Sequence, residues 1–321
     1  MASIEQTARK LDYLDEVGER LLTDEEIDFN SYSMDYEEGK KVKHADSYVD
    51  NVVSFFTDPE SHSGYTLPWG DTHTDIRLRP GELSIWAGIN GHGKSMVLSQ
   101  VALSLQRQGA RICIASMEMK PVQTMARMSR QGIGGEQPTE EVIRRFHESL
   151  DGLFLYDQQG TVQHKNMLAV VRYCREELGI NHFIIDSLMK CGINGDDYNA
   201  QKNFVDKLST YAKDTGMHIH LVCHSRKTEN EFKQMGKFDI KGAGEITDMA
   251  DNVFTIWRNK KKEEKVAAMK ATQDEADAPD CVMRCDKQRN GEWEGKIGLW
   301  FIPRALQYVA KRTNQTIDYL G

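Results

Sequence analysis

Short apolar runs alternate with stretches of helical spacing through most of the chain. Residues 83–87 (LSIWA) are a compact, mostly apolar run of strand length, and Val97, Leu98, Val101, Ala102 and Leu105 then recur at the three- and four-residue spacing of a helix over 96–106. The same alternation predicts a strand at 111–116, helices at 121–132 and 139–150, a short strand at 153–156 and a long helix at 162–178. A β-branched run at 182–186 is followed by a helix over 199–215 and a strand over 218–224. Strands at 253–257, 281–286 and 297–302 complete the series, the last two spaced as a hairpin around Arg289-Asn290-Gly291. Strands and helices in this order predict an α/β fold: a mostly parallel twisted sheet flanked by helices, with an antiparallel hairpin at one edge. The charged, alanine-rich stretch 260–280 reads as a mobile surface excursion.

Residues 1–62 break from this pattern. Leu11, Leu14, Val17 and Leu21 sit at helical spacing among acids, and Val49, Val52, Val53 and Phe56 repeat the pattern over 45–56. Thr23-Asp24-Glu25-Glu26 could cap a second short helix between them. The first 60 residues hold 16 acidic and 6 basic side chains, while the rest of the chain is close to neutral, at +2 of a total of −8. An acidic helical arm and linker (1–62) ahead of a core (63–321) is the implied division. The arm packs on its own domain, docks on a neighbouring subunit, or is disordered. Residues 57–72, with Pro59, Gly64, Pro68 and Gly70, read as linker.

Hydrophobic content of 39% in 321 residues suits a chain with a real core. No apolar run approaches membrane-span length and the N-terminus lacks a signal-peptide core, so a cytoplasmic location is expected, without a membrane partner. Six cysteines without a C-x-x-C pair read as buried free thiols. The overall negative charge does not exclude DNA, because a near-neutral core can carry a local basic stripe.

The strand at 83–87 runs into Gly88-Ile89-Asn90-Gly91-His92-Gly93-Lys94-Ser95, which fits G-x-x-x-x-G-K-[ST] without a mismatch and opens a helix at Met96. Glycines let consecutive backbone N–H groups converge on phosphate oxygens, and the helix N-terminus adds partial positive charge. Lys94 would reach the β- and γ-phosphates and the Ser95 hydroxyl would hold Mg²⁺. A nucleoside triphosphate, ATP or another NTP or dNTP, is the expected ligand, bound along residues 88–96.

Other candidates lie at strand ends, where ligands bind in open α/β sheets. Asp186 ends an apolar strand and would position Mg²⁺ through water. Glu118, in Ser116-Met117-Glu118-Met119, is the candidate to orient and deprotonate an attacking water, a lone surface glutamate being the rival. His224 ends HIHLVCH and could hydrogen-bond a γ-phosphate, while His218 and His220 read as packing or surface residues. Arg226, Lys227, Lys233, Lys237 and Lys241, ahead of Gly242-Ala243-Gly244, suit a loop tracking the phosphates of a single strand, or else a solvated mobile loop. Lys287 and Arg289, on the hairpin turn, carry the chemistry of an arginine finger.

In this order the motifs resemble those of the DnaB-like replicative helicases (superfamily 4), in the RecA-like ATPase class. The phosphate loop, Ser116 to Met119, the strand ending in Asp186 and Lys287-Gln288-Arg289-Asn290-Gly291 carry the likeness. So do Asp157-Gln158-Gln159-Gly160 and Phe238-Asp239-Ile240-Lys241-Gly242-Ala243-Gly244, the latter with lysine in place of the family's arginine. The likeness spans about Pro68 to Tyr308. Histidine at 224, where bacterial members usually carry glutamine, looks more like the phage primase–helicases and their relative Twinkle, although no primase domain precedes the core. The resemblance implies Lys94 and Ser95 on phosphate and Mg²⁺, Asp186 on Mg²⁺ through water, Glu118 as general base and His224 as γ-phosphate sensor. It places Lys287 and Arg289 in the adjacent subunit's site and the loop around Lys241 on DNA. It further implies a six-membered homo-oligomeric ring translocating 5′ to 3′ on single-stranded DNA, with primase, polymerase or a loader as partners, in a bacterial or phage-infected cytoplasm. Two alternatives stand beside it: an ATPase that binds single-stranded DNA without unwinding, and an assembly or loader component that uses nucleotide as a switch.

Overall fold

The computed structural model describes residues 43–58, 63–135, 138–225, 232, 234, 236–240 and 243–319. The helices read at 11–22 and after Thr23 lie outside the described residues. Among the described residues nine strands form one sheet: β1 Leu83–Gly88, β2 Ile112–Ser116, β3 Leu153–Leu155, β4 His182–Asp186, β5 His218–His224, β6 Asn252–Arg258, β7 Cys281–Gln288, β8 Gly295–Ile302 and β9 Gln307–Val309. Their spatial order is β3-β2-β4-β5-β1-β6-β7-β8-β9, parallel from β3 to β6 and antiparallel from β7 onward. Every residue of β1, β2 and β4 is buried. That is why these strands read as apolar runs rather than alternating ones, since both faces of a parallel sheet are covered by helices.

The helices are α1 Val49–Thr57, α2 Lys94–Arg107, α3 Pro121–Ile133, α4 Glu140–Glu148, α5 His164–Glu176, α6 Tyr198–Thr215, α7 Ala243–Met249, α8 Lys260–Ala267 and α9 Gln273–Asp277. Helix α2 starts on the glycine loop and buries Val97, Leu98, Val101, Ala102 and Leu105, the residues whose spacing predicted it. Thr139 caps α4 by accepting from the Val142 amide, and Pro121 opens α3 at a position where its missing N–H costs nothing. The two predicted strands 281–286 and 297–302 form the expected hairpin, β7 with β8. Helix α1, preceded by a 3₁₀ turn at Ala45–Tyr48, exposes Val49, Val52, Val53, Phe55 and Phe56.

Two expectations are corrected, and one strand is added. The stretch read as linker, 57–72, belongs to the core at its C-terminal end. Leu67 and Trp69 are buried, and the Trp69 indole N–H donates to the Tyr308 carbonyl at 2.9 Å. Proline and glycine there mark turns within a packed segment. The supposed mobile excursion 260–280 contains α8 and α9, tied together by a Lys265–Glu275 ion pair and to the sheet by Lys262–Asp280 at 2.7 Å. Four of its charges are paired with one another. Strand β9 has no signal of its own: Gln100 holds it by donating to the Tyr308 carbonyl (2.9 Å) and accepting the Tyr308 amide (2.8 Å).

Trp69→Ala removes a 2%-exposed indole from this cluster and is expected to lower stability by about 3–5 kcal/mol, the scale of deleting a large buried aromatic. Urea unfolding should show a lower midpoint at unchanged slope.

At the N-terminal ends of β4 and β5, His182, His218 and His220 are all buried, with ring centroids 4.5–5.4 Å apart. The Trp86 indole N–H donates to His220 Nδ1 at 3.2 Å, so His220 carries its proton on Nε2 and donates it to His182 Nδ1 at 3.1 Å. Burial pushes both far below the usual histidine range. These are neutral core residues. Among the described residues no helix is long and apolar enough to cross a membrane.

Candidate nucleotide site

The C-terminal ends of β2, β4, β5 and β1 lie side by side, Ser116 opposite Asp186 and His224 opposite Gly88. This is how residues remote in sequence meet: Glu118 follows β2, Asp186 ends β4, His224 ends β5 and the phosphate loop follows β1. They line a cleft of about 890 Å³ together with Asn90, Gly91, Gly93, Lys94, Ser95 and Met96. At Gly88 a Cβ would lie 2.4 Å from the Ile256 carbonyl oxygen, so only glycine lets β1 pass β6 at the start of the loop. Gly93 has φ +87° and a Cβ there would stand 2.8 Å from the Tyr308 hydroxyl.

The Lys94 ammonium donates to the carbonyls of Gly88 (2.9 Å) and Ile89 (3.0 Å), folded back over its own loop. Burial lowers its pKa, while the negative charges of Asp186 and Glu118 oppose that shift. The Ser95 hydroxyl donates to Asp186 at 2.5 Å. Burial raises the Asp186 carboxyl, the Ser95 hydrogen bond lowers it, and Glu118 pushes it up again. A buried carboxylate that accepts from an adjacent hydroxyl is a hard-oxygen pair suited to a small divalent cation such as Mg²⁺. The buried lysine, whose hydrogen bonds go to carbonyls of its own loop, suits a phosphate. The residues present therefore fit a metal–nucleotide complex.

His224 is held low in pKa by burial and then by the Lys94 charge. Its Nε2 lies 3.7 Å from Glu118 Oε1 and 3.1 Å from the Ser187 hydroxyl. His92 stands apart from the other loop residues. Its side chain is fully buried, with Nδ1 accepting the Arg258 amide at 3.1 Å, so it anchors the loop to β6 and only its backbone can serve a ligand.

The cleft also takes in Arg127, Arg258, Glu263, Asp280, Phe301, Pro303, Leu306 and Tyr308, none of which the sequence pointed to. Arg127, on α3, has a buried Nε without a hydrogen-bond partner among the described residues and lies in the field of Asp186. Arg258 pairs with Glu263 of α8 at 2.6 Å, so the excursion forms one wall of the cleft. Arg127 could have been noticed as a cation on the helix that follows Glu118. The wall from β8 and β9 has no comparable signal.

Lys287 and Arg289 are not in this cleft. The Lys287 ammonium donates to the carbonyls of Thr247 and Asp248, both at 3.0 Å, and Arg289 donates to the Asp248 carbonyl (3.0 Å) and pairs with Asp251 (3.1 Å). Because β7 runs antiparallel, it delivers them to the start of β6, level with Asp251. At about 3.3 Å per residue that is roughly 15 Å below the phosphate loop, at the opposite end of the strands. Of the proposed DNA loop, Arg226, Lys227, Lys233, Lys241 and Gly242 lie outside the described residues, and Ala243 and Gly244 open α7. Lys237 sits in a 3₁₀ turn, Lys237–Asp239, against Asp286 of β7, to which its backbone N–H donates.

A glycine loop on β1, a serine hydrogen-bonded to a buried aspartate and a strand-end glutamate define a phosphate-loop nucleotide-binding core of the RecA-like kind. A family model described as "AAA domain" matches residues 75–230. A DNA helicase/primase of Enterobacteria phage T3 is 26% identical over 209 residues, which cover 57% of this chain and 36% of that protein. The chain thus spans about a third of the length of this relative. An ATPase domain of known structure superposes with a TM-score of 0.66 at 16% identity, covering 83% of this chain and 99% of that one. A DnaB-like replicative helicase, solved in a study of its interactions with primase, gives 0.66 at 13% identity over 85% and 69%. The resemblance to DnaB-like helicases carried by the motifs holds in these comparisons, and the fold is that of their ATPase domains.

Proposed function

We propose that this chain is the ATP-hydrolysing core of a DNA helicase that acts as a ring of identical subunits on single-stranded DNA, moving 5′ to 3′. The observation that carries the reading is the split between the two groups of candidate residues. Lys94, Ser95, Glu118, Asp186 and His224 converge on one cleft, while Lys287 and Arg289 are fixed at the opposite end of the strands of the same sheet. A cation so placed serves a neighbour's cleft in a head-to-tail assembly, the kind of contact that closes a ring. The phage relative's name, a DNA helicase/primase, points the same way.

In this reading Lys94 and the loop amides hold the phosphates, and Ser95 with Asp186 would hold Mg²⁺, which would neutralise phosphate charge. Glu118 orients a water and takes its proton, and His224 donates to the terminal phosphate. The exposed apolar face of α1 supports the arm, residues 1–62, as a segment that docks on a neighbouring subunit beside a core at 63–321. Primase, polymerase or a loader fit as further partners of such a ring.

Unwinding of a forked duplex with a free 5′ tail, dependent on hydrolysable nucleotide and Mg²⁺, tests the reading. Nucleotide hydrolysis stimulated by single strands without strand separation would favour the non-unwinding alternative instead. Lys241→Ala in the same assays should weaken single-strand binding and flatten its salt dependence by about 0.7 in slope per lost phosphate contact, without changing nucleotide affinity. An unchanged salt slope would take Lys241 off the DNA.

A further inference from the structure

Ser187 follows Asp186 immediately beyond β4 and is completely buried. No motif in the sequence marks it. Its hydroxyl stands 3.1 Å from His224 Nε2 and 3.4 Å from Glu118 Oε1, while those two groups are 3.7 Å from each other. Its backbone is pinned separately: the Ser187 carbonyl accepts the Lys190 amide at 2.9 Å. The hydroxyl is therefore free to serve the site rather than the turn.

We propose that Ser187 is a positioning residue that ties the Glu118 carboxylate to the His224 imidazole before nucleotide binds and keeps hold of Glu118 when His224 turns to the phosphate. The inference rests on the roles given above to Glu118 and His224. Proton counting sets the direction of the chain. An ionised carboxylate only accepts, so the one Ser187 proton goes to Glu118, and the Ser187 oxygen must accept from His224 Nε2–H. That assigns the neutral imidazole's proton to Nε2. Its Nδ1 is buried with no hydrogen-bond partner among the described residues, so a second proton there would find no acceptor.

A terminal phosphate offers acceptors only, and Nε2–H is the one donor this tautomer of His224 has. When His224 turns to the phosphate, Ser187 loses the hydrogen bond it accepts and keeps the one it gives to Glu118. The presence of the γ-phosphate thus reaches the base through a single hydroxyl, over contacts of 3.1 and 3.4 Å. The Glu118 side chain is 43% exposed, so without this tie little in the described structure fixes where its carboxylate points. The longer of the two contacts is beyond ordinary hydroxyl–carboxylate length, as expected of a catalytic hydrogen bond that tightens only around substrate.

The test compares Ser187→Ala, Ser187→Thr, His224→Ala, the Ser187→Ala/His224→Ala pair and Glu118→Gln in the full-length chain. Single-turnover hydrolysis of ATP with Mg²⁺ and the affinity for a non-hydrolysable ATP analogue are both measured. Ser187→Ala should lower kcat about 10-fold or more with analogue affinity within about 2-fold of wild type, the expected result of a misplaced rather than an absent group. Ser187→Thr, which restores a hydroxyl, should recover part of the loss. The double variant should be no slower than His224→Ala alone, because residues acting as a unit are non-additive. Wild-type kcat in Ser187→Ala, a kcat loss matched by an equal loss of analogue affinity, or additive effects in the double variant would each overturn the proposal. Glu118→Gln separates the two levels: if it hydrolyses normally, the reading of the site fails and this inference with it. If it is inactive while Ser187→Ala is unaffected, only the tie is wrong.

Discussion

Glu118→Gln is expected to keep nucleotide affinity and to lower hydrolysis by about 10²-fold or more, the usual scale for losing a general base. Glutamine preserves the size of the side chain and its ability to accept from Ser187, but it cannot take a proton from water. The cleft contains three other carboxylates, and each has a close partner: Asp186 accepts from Ser95 at 2.5 Å, Glu263 pairs with Arg258 at 2.6 Å and Asp280 with Lys262 at 2.7 Å. Only Glu118 among these described acids makes contacts no shorter than 3.4 Å, which leaves its lone pairs available to a water. Single-turnover hydrolysis with DNA present, beside a binding isotherm for a non-hydrolysable analogue, gives the two quantities. A wild-type rate would move the base to one of the paired carboxylates, with Glu263 next in line because its partner is itself half-exposed.

The parts of the fold legible in the sequence are those where local pattern and global environment agree. Strands β1, β2 and β4 are buried on both faces and read as apolar runs, and α2 shows its core face because its outer face meets water. The parallel order of the strands follows from the helices between them, and that order places Glu118, Asp186 and His224 beside the phosphate loop. Once the topology is inferred, the site is nearly given, because each of these residues lies at or just beyond a strand end.

What escaped lies in contacts of long sequence separation. Trp69 and Gln100 both bond the Tyr308 carbonyl, across 239 and 208 residues, and no local pattern announces that a proline- and glycine-containing stretch will be buried beneath the C-terminal strand. The stretch 260–280 reads as solvated because it is rich in Lys and Glu. Those charges are spent on one another in Arg258–Glu263, Lys262–Asp280 and Lys265–Glu275, and the residue that starts this chain of pairs faces the cleft. Composition reports polarity but not pairing. His218 and His220 illustrate the same limit: alternation allows either packing or surface, and the Trp86 indole on His220 and the Ser84 hydroxyl on His218 decide for the interior.

The largest effect is expected at Arg289. Its backbone amide bonds the Asp251 carbonyl just before β6, and its side chain, 46% exposed, is steered by Asp251 and the end of α7. From there it cannot reach the cleft of its own subunit at the other end of the strands. If it completes a neighbour's site, Arg289→Ala should abolish hydrolysis, a loss on the order of 10³-fold or more for a missing arginine finger, while nucleotide still binds each phosphate loop. Lys94→Ala should be equally inactive for the opposite reason, since its own loop is disabled while its Arg289 is intact. Mixed assemblies of the two variants would then contain some junctions that pair an intact phosphate loop with an intact arginine, so activity should reappear on mixing and peak near equal amounts. Co-assembly is checked by native mass spectrometry of the mixture. Activity that never exceeds the sum of the two separate variants, in assemblies shown to contain both, would remove Arg289 from the neighbour's site. It would also undercut the ring, because the only described cations in the finger motif would then have no cleft to serve.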